Sequence, residues 1–286
     1  MKRMAIIVVV IGMSVGSWAQ DKPATQNAPA GQQPAAGQAA APQGKRPPKV
    51  NSQEEYNAYK AAVAVTDAAG LEKAADDFAT KYPASELRPL VFKASMQRYQ
   101  QTNNADKMTE MAKKVLAIDP DDPEALLGVA QVEAEQTKDD SLDKDQRLAQ
   151  VKKDAEHALE TIDTDVPTSG YTPEQINGYK SFLRSQAYFV LGTAAYKAGN
   201  WPDAETNLRK SIDALPQQPD VIAVYRLALA LDFQNKIPDA IKVAQQAVDL
   251  TKDTPDSPAG KAARQELDRL NKFAPGTSGQ ATPPKN

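Results

Sequence analysis

The sequence contains no cysteine and only one histidine, His157, among its 286 residues. Disulfides and thiolate-bound metals are therefore excluded, together with most histidine-based catalysis and metal binding. It also carries no glycine-rich phosphate loop and no H-E-x-x-H zinc motif. Aromatic residues make up 6% of the chain, against 41% hydrophobic and 25% charged residues. We therefore expect a helix-rich globular protein that is not an enzyme and needs no cofactor, with His157 on a helix surface.

A long apolar run is found only near the amino terminus, over residues 6–15, and it is too short for a comfortable membrane span. Basic residues precede this run, and the small residues Ser17 and Ala19 follow it. The pattern predicts a signal peptide over residues 1–19, cleaved between Ala19 and Gln20, with an uncleaved anchor as the alternative. No cysteine is available for lipid attachment. The mature protein is expected to be periplasmic or secreted, without a membrane span.

Two segments flank the rest of the chain and have few large apolar residues. Residues 20–49 are rich in alanine, proline and glutamine and end in the basic stretch 45–49, Lys-Arg-Pro-Pro-Lys. Such a segment cannot bury enough surface to offset its ordering entropy, so a disordered linker is predicted. Its basic end is either a solubilising tether or a contact for an anionic surface such as lipid headgroups or cell-wall polymer. Residues 274–286 are predicted to be a disordered tail.

The remaining body, residues 50–273, is acidic. Of the 34 basic and 37 acidic residues of the chain, seven basic and one acidic residue lie outside the body, which leaves it a net charge of about −9. Nucleic-acid binding requires a basic face that displaces counterions from phosphates. The charge of the body therefore argues against a nucleic-acid partner.

The tripeptide Pro-Asp-Ala occurs at residues 202–204 and again at 238–240, an offset of 36 residues. A fixed offset of this length indicates a repeated helix-turn-helix unit, and proline is tolerated in the first turn of the second helix. Small residues are expected where the two helices of a unit cross closely, because larger side chains would separate them. These small residues are Gly192, Ala204, Ala228 and Ala240.

The same spacing divides the body into five predicted helix pairs. They span residues 52–84, 87–120, 123–167, 173–217 and 219–255, and a capping helix is predicted over 258–273. The third pair contains an insertion around residues 137–148. Capping-box spacing at Ser52–Glu55 and Thr172–Gln175, and prolines at first helical positions, agree with these boundaries.

The repeated pattern resembles the tetratricopeptide-repeat (TPR) family over roughly 220 of the 286 residues. The resemblance is strongest in the fourth and fifth pairs, at Tyr188, Leu191, Gly192, Ala204, Leu208, Ser211 and Pro216, and at Val224, Leu227, Ala228, Leu231, Ala240, Ala244 and Ala247. Residues 81–85, Lys-Tyr-Pro-Ala-Ser, are similar to a junction found in envelope members of this family. The resemblance implies an all-α, right-handed superhelical solenoid of about five helix pairs with a carboxy-terminal capping helix.

In this family the first helix of each pair lines a concave groove that binds a protein or peptide. Carried over position by position, the resemblance implies the groove residues Tyr56, Lys60, Lys93, Gln97, Gln100, Leu127, Gln131, Phe189, Thr193, Tyr196, Tyr225, Leu229 and Phe233. Phe189 and Phe233 could instead pack as core between helices. The expected partner is another envelope protein or peptide. Self-assembly into a homo-oligomer and association with the cell wall through the basic linker stay open as alternatives.

Two acidic stretches raise the question of a bound cation. Residues 119–124 alternate aspartate, proline and glutamate, but they lack the glycine and the twelfth-position glutamate of a calcium loop. Asp122 as the N-cap and Pro123 as the first helical residue explain this stretch without a metal. The insertion contains Asp139, Asp140, Asp143 and Asp145, for which solvated loop and capping roles are predicted and a weak cation site remains an open alternative.

Overall fold

The computed structural model describes residues 44–273, and within them the regular structure is all α-helical. The prediction of an all-α fold is confirmed. The helices are α1 Gln53–Val63, α2 Ala68–Lys81, α3 Arg88–Gln101, α4 Ala105–Leu116, α5 Pro123–Gln136, α6 Lys144–Asp165, α7 Pro173–Lys197, α8 Trp201–Ala214, α9 Val221–Phe233, α10 Ile237–Leu250 and α11 Pro258–Asn271. The predicted signal peptide with its cleavage site at Ala19 and Gln20, residues 20–43 of the linker and the tail 274–286 lie outside the described residues.

Most of the helices begin where a side chain caps their free amide groups. The Ser52 hydroxyl accepts a hydrogen bond from the Glu55 amide at 3.1 Å, and the Asp122 carboxylate accepts one from the Ala125 amide at 2.9 Å. At α7 both halves of a capping box form between Thr172 and Gln175. These caps satisfy amides that have no partner inside the helix. The N-cap role predicted for Asp122 is confirmed.

The helices are arranged in two layers. Among the odd-numbered helices, α1 contacts α3, α5 contacts α7, α7 contacts α9, and α9 contacts α11. Each even-numbered helix from α2 to α10 packs between the odd-numbered helices that precede and follow it in the sequence. Consecutive helix pairs are therefore stacked side by side, and the odd-numbered helices from α5 to α11 adjoin one another in one layer.

Three of the helix pairs share the same turn. Asn103, Gly199 and Asn235 adopt positive φ angles of 55°, 74° and 59° between the two helices of their pairs. In each turn the following residue donates its amide to a carbonyl five residues back, at 2.9 Å. This left-handed helix ending favours glycine or asparagine, and these are the residues found there. The repetition of one turn geometry gives the fold its helical-repeat character.

The small residues predicted at the crossings lie where neighbouring helices approach most closely. A β-carbon built on Gly192 of α7 would lie 2.7 Å from the Cγ atom of Leu208 on α8. Ala204, Ala228 and Ala240 are completely buried in the core of the fourth and fifth pairs. The crossing of α7 with α8 therefore depends on the absence of a side chain at position 192.

The predicted insertion in the third pair is divided between a loop and a helix. Residues 137–143 connect α5 to α6, and the remaining residues extend α6 at its amino-terminal end to a length of 22 residues. Leu148 from this extension is buried in the central core cluster, as is Val151 three residues further along α6. Part of the insertion therefore stabilises the body, because its buried apolar side chain packs against it.

The end of the predicted linker lies against the helices instead of being disordered. Gly44 to Lys49, which we call the docked segment, runs across the connections between helix pairs. The Lys45 amide donates to the Val166 carbonyl at 3.2 Å, and the Lys45 ammonium binds the carboxylates of Asp119 and Asp165. A β-carbon on Gly44 would lie 2.6 Å from the Val166 carbonyl oxygen, so the close approach requires glycine. Acidic side chains of the body attract this basic segment.

The docked segment also supplies a pH-dependent contact. Hydrogen bonds from the Arg46 guanidinium and the Lys49 amide lower the pKa of Glu86 to about 2. Because this pKa is depressed, the contact is complete above the ordinary value of 4.5 and is lost as the pH falls through about 2. We expect Arg46→Ala to return the pKa of Glu86 toward 4.5 in an NMR titration of carboxyl carbons. Glu54, which pairs with Lys81 instead, should keep its lowered pKa. A pKa of Glu86 near 4.5 in the unaltered protein would contradict the docking.

Candidate partner-binding cleft

Two predicted groove residues of the second pair, Lys93 and Gln97, take part in a network of polar contacts across three helices. Lys93 of α3 binds the carboxylate of Asp122 and lies 3.7 Å from that of Glu124. Glu124 accepts further hydrogen bonds at 2.7 Å from the Gln97 amide and the Tyr179 hydroxyl. Burial alone would lower the pKa of Lys93, but the two carboxylates raise it. Lys93 and Gln97 therefore hold helices together and have few groups left for a partner.

Phe189 and Thr193 of α7 belong to the interior. They are 4% and 1% exposed, so neither side chain can reach a partner in this conformation. Arg226 of α9 explains their position, since its guanidinium lies 5.2 Å from the Phe189 ring centre and donates to the Thr193 hydroxyl at 2.7 Å. The family pattern places both residues in the groove, and the structure instead places them beneath a buried arginine.

Arg226 extends its contacts to a third helix. Its guanidinium forms a two-pronged ion pair with Glu135 of α5, at 2.8 and 2.9 Å. Lys197 of α7 also donates to backbone carbonyls at the end of α5, those of Glu135 and Thr137. Charged side chains thus tie α5, α7 and α9 together on the odd-numbered layer. Sequence reasoning missed Arg226 because it lies in the otherwise apolar stretch of α9.

Three other predicted groove residues do come together in an open cleft. Tyr196 of α7 and Tyr225 and Leu229 of α9 line a cavity of about 240 Å³. Its opposite wall comes from α11, through Ala262, Gln265, Glu266 and Arg269. We call this cavity the α7–α9–α11 cleft. Sequence reasoning named Tyr196, Tyr225 and Leu229 as groove residues, but it assigned α11 only a capping role.

The polar groups of the cleft are held in fixed positions. Arg269 donates to Glu266 at 2.8 Å and also binds Asp232, and these contacts raise its pKa, the hydrogen bond to Glu266 most strongly. Burial raises the pKa of Tyr196 to about 12 and raises that of Tyr225 as well. Both phenols are therefore neutral at physiological pH. Within residues 44–273 neither phenol hydroxyl makes a side-chain hydrogen bond, so both can bind a partner.

Phe233 is half-buried beside the cleft rather than in it. Its ring stacks on Trp201, with centroids 4.0 Å apart and planes inclined by 6°, and Tyr196 meets both rings edge-on. This aromatic group links the ends of α7 and α9 to the start of α8. Phe233 therefore orients Tyr196. This position is closer to a core role for Phe233, one of the two roles that the sequence left open, than to a groove role.

The remaining predicted groove residues are spread along the layer. Tyr56 and Lys60 lie on α1, with the Lys60 ammonium 5.0 Å from the Tyr56 ring centre. Gln100 and Gln131 are partly exposed, and Leu127 is buried in the core. These residues do not share one surface with the α7–α9–α11 cleft, so the predicted set is divided between two ends of the molecule and its interior.

One group of carboxylates in the described residues has the spacing of a metal site. Oxygen atoms of Asp119, Asp122 and Asp165 lie within 4.8 Å of one another. The ammonium groups of Lys45 and Lys93 bind these same carboxylates, so cations of the chain itself neutralise part of their charge. The aspartates of the insertion do not converge in this way within residues 44–273, and Asp139 instead pairs with Lys144 at 2.9 Å. His157 lies on the surface of α6, 2.8 Å from Asp121.

Comparison with known proteins gives no assignment. No protein-family model matches the chain, and no curated protein matches it. None of the helices described for residues 44–273 is both long enough and apolar enough to cross a membrane. The resemblance to tetratricopeptide repeats therefore depends on the residues and on the repeated geometry alone.

Proposed function

We propose that the protein is a non-enzymatic scaffold of the tetratricopeptide type that acts in the periplasm or outside the cell. In this proposal the stacked helix pairs form a right-handed superhelix, and the odd-numbered layer presents the binding surface. The repeated turns at Asn103, Gly199 and Asn235 support the repeat assignment. The amino-terminal signal pattern in the sequence supports the location.

The α7–α9–α11 cleft is the proposed binding site for another envelope protein or peptide. The observation that carries the proposal is the convergence of Tyr196, Tyr225 and Leu229 around an open cavity. An apolar side chain of the partner would occupy the cavity above Leu229 and Ala262, and the two phenol hydroxyls would bind polar groups beside it. Because neighbouring helices fix the cleft, it loses little conformational freedom on binding.

The alternative role as a cell-wall-associated protein receives less support. It depends on a free basic linker, yet Lys45 and Arg46 are already paired with carboxylates of the body. An electrostatic tether would have to break these contacts before it could bind an anionic polymer. The docked segment therefore favours a role in the fold for this part of the linker.

Affinity capture with matched variants tests the proposed cleft. The immobilised full chain is exposed to envelope extract, and retained proteins are titrated against Tyr225→Ala and Tyr56→Ala variants. We expect Tyr225→Ala to weaken the binding of a specific partner by about tenfold or more, as for an interface anchor. Tyr56→Ala, at the other end of the predicted groove, should leave the affinity unchanged. Equal effects of both substitutions, or an effect of Tyr56→Ala alone, would exclude the α7–α9–α11 cleft.

A further inference from the structure

The docked segment covers a surface of the body that has an excess of negative charge. Oxygen atoms of Asp119, Asp122 and Asp165 lie within 4.8 Å of one another there. Lys93 of the body binds Asp122, and Lys45 of the docked segment binds Asp119 and Asp165. Among residues 44–273 no other cation forms an ion pair with Asp119 or Asp165. Close carboxylates repel each other, so this part of the body requires a cation from outside the helices.

A second acceptor for basic groups lies in the connection between α2 and α3. Glu86 accepts two hydrogen bonds from the Arg46 guanidinium, at 2.7 and 2.8 Å, and one from the Lys49 amide at 2.8 Å. A two-pronged contact between a guanidinium and a carboxylate fixes the direction of the side chain as well as its charge. The surface therefore binds an ammonium and a guanidinium from consecutive residues at two separate places.

The same surface also binds the main chain of the docked segment. Lys45 forms an isolated parallel β-bridge with Pro167, and its amide donates to the Val166 carbonyl at 3.2 Å. A β-carbon on Gly44 would lie 2.6 Å from this carbonyl oxygen and 2.5 Å from the Cγ2 atom of Thr168. Main-chain hydrogen bonds provide affinity for an extended peptide, and the contacts of individual residues select its sequence. The complete surface therefore selects a glycine followed by two basic residues.

The contacts of the docked segment are of a kind that another chain can make. Its sequence, Gly-Lys-Arg-Pro-Pro-Lys, contains no large aliphatic or aromatic side chain, and none of its residues belongs to a core cluster. Arg46, Pro47 and Lys49 are exposed. Ion pairs and main-chain hydrogen bonds form with any extended peptide that presents the same groups in the same order. The acceptor surface, by contrast, is fixed in position by the helices that carry it.

We infer that Glu86, Asp119, Asp165 and the backbone of residues 166–168 form a binding site for an extended basic peptide of a partner protein. We call it the basic-peptide site, and its ligand has a glycine followed by two basic residues. The docked segment is an internal competitor that keeps the site closed. Because it is tethered to α1, its effective concentration at the site is on the order of millimolar, which a partner peptide has to overcome. The site lies outside the proposed function, since it has no residue in common with the α7–α9–α11 cleft.

Peptide titration against a vacated site tests this binding. The probe is a fluorescently labelled Gly-Lys-Arg-Pro-Pro-Lys peptide, and the protein is the chain from Gln20 onward. Lys45→Ala with Arg46→Ala removes the side-chain contacts of the docked segment and gives the vacated chain. We expect fluorescence anisotropy to show at least about tenfold tighter binding of the probe to the vacated chain than to the unaltered chain, because the competitor is lost. Gly44→Ala opens the site without changing any charge and should also tighten binding. No binding to either altered chain, or equal binding to all three chains, would overturn the inference.

Matched controls distinguish recognition of the peptide from attraction by the net charge of the body. A peptide with the same six residues in another order should bind the vacated chain at least about tenfold more weakly than the probe. Asp165→Asn in the vacated chain should weaken probe binding by about tenfold. Asp121→Asn removes an exposed charge nearby that pairs with His157, and it should have little effect. Equal binding of the two peptides, or equal effects of the two substitutions, would overturn the inference. Tyr225→Ala should leave probe binding unchanged, which separates this test from that of the proposed function.

Discussion

Replacing Glu135 by alanine is expected to lower the free energy of unfolding by about 3 kcal/mol. The Arg226 side chain is 11% exposed and depends on Glu135 for its counter-charge. Without Glu135 the guanidinium keeps the Thr193 hydroxyl and the Phe189 ring, neither of which carries a charge. This loss of stability is at the lower end of the range for removing one partner of a buried ion pair. The reason is that Glu135 itself is 31% exposed, so water can enter its position.

Two controls distinguish the loss of the Arg226–Glu135 pair from the general effect of removing a carboxylate. Asp77→Ala breaks an exposed pair whose side chains are 76% and 65% accessible, and it should cost no more than about 0.5 kcal/mol. The double variant Glu135→Ala with Arg226→Met removes both charges and should recover much of the loss. Chemical denaturation measures all three values. A single Glu135→Ala variant as stable as Asp77→Ala would show that Arg226 does not link α5, α7 and α9.

Replacing Gly192 by alanine is expected to destabilise the protein by about 1 to 3 kcal/mol, although alanine favours helices. The added methyl group would lie 2.7 Å from the Leu208 Cγ atom and 3.2 Å from the Leu208 amide nitrogen. Leucine could change rotamer, but the backbone contact requires α8 to move away from α7. The substitution therefore tests the close crossing of the two helices of the fourth pair.

Gly178 provides a matched control on the same helix. A β-carbon at Gly178 meets no atom within 4 Å, and the residue is exposed. Gly178→Ala should therefore stabilise the protein by up to about 1 kcal/mol through helix propensity alone. The two alanine substitutions on α7 are thus expected to have opposite signs in thermal unfolding. Equal stabilisation by both would contradict the crossing.

Local sequence signals predicted much of the fold. Ser52, Asp122 and Thr172 cap helices because a short polar side chain before a helix satisfies its first amides. Pro202 and Pro238 fall in the first turns of α8 and α10, where a missing amide costs nothing. These rules use residues close in the chain, which is why these helix starts could be anticipated.

These local rules could not predict contacts between residues that are far apart in the sequence. The Arg226–Glu135 pair joins residues 91 apart, and the docked segment brings Lys45 to Asp165, 120 residues away. Such pairs depend on how the helix pairs stack, which no local pattern encodes. The same limit applies to the site, since Phe189 has the spacing of a groove residue, but the stacking of α9 on α7 covers it with Arg226.

Site-specific photo-crosslinking tests the proposed scaffold function most directly. A photoreactive phenylalanine analogue is introduced at Tyr225 in the α7–α9–α11 cleft, and separately at Gln246, an exposed position on the opposite layer in α10. Both proteins are irradiated in the envelope of the source cells. We predict a specific adduct with another envelope protein or peptide from position 225 and none from position 246. The same adducts from both positions, or none from position 225, would contradict the proposal.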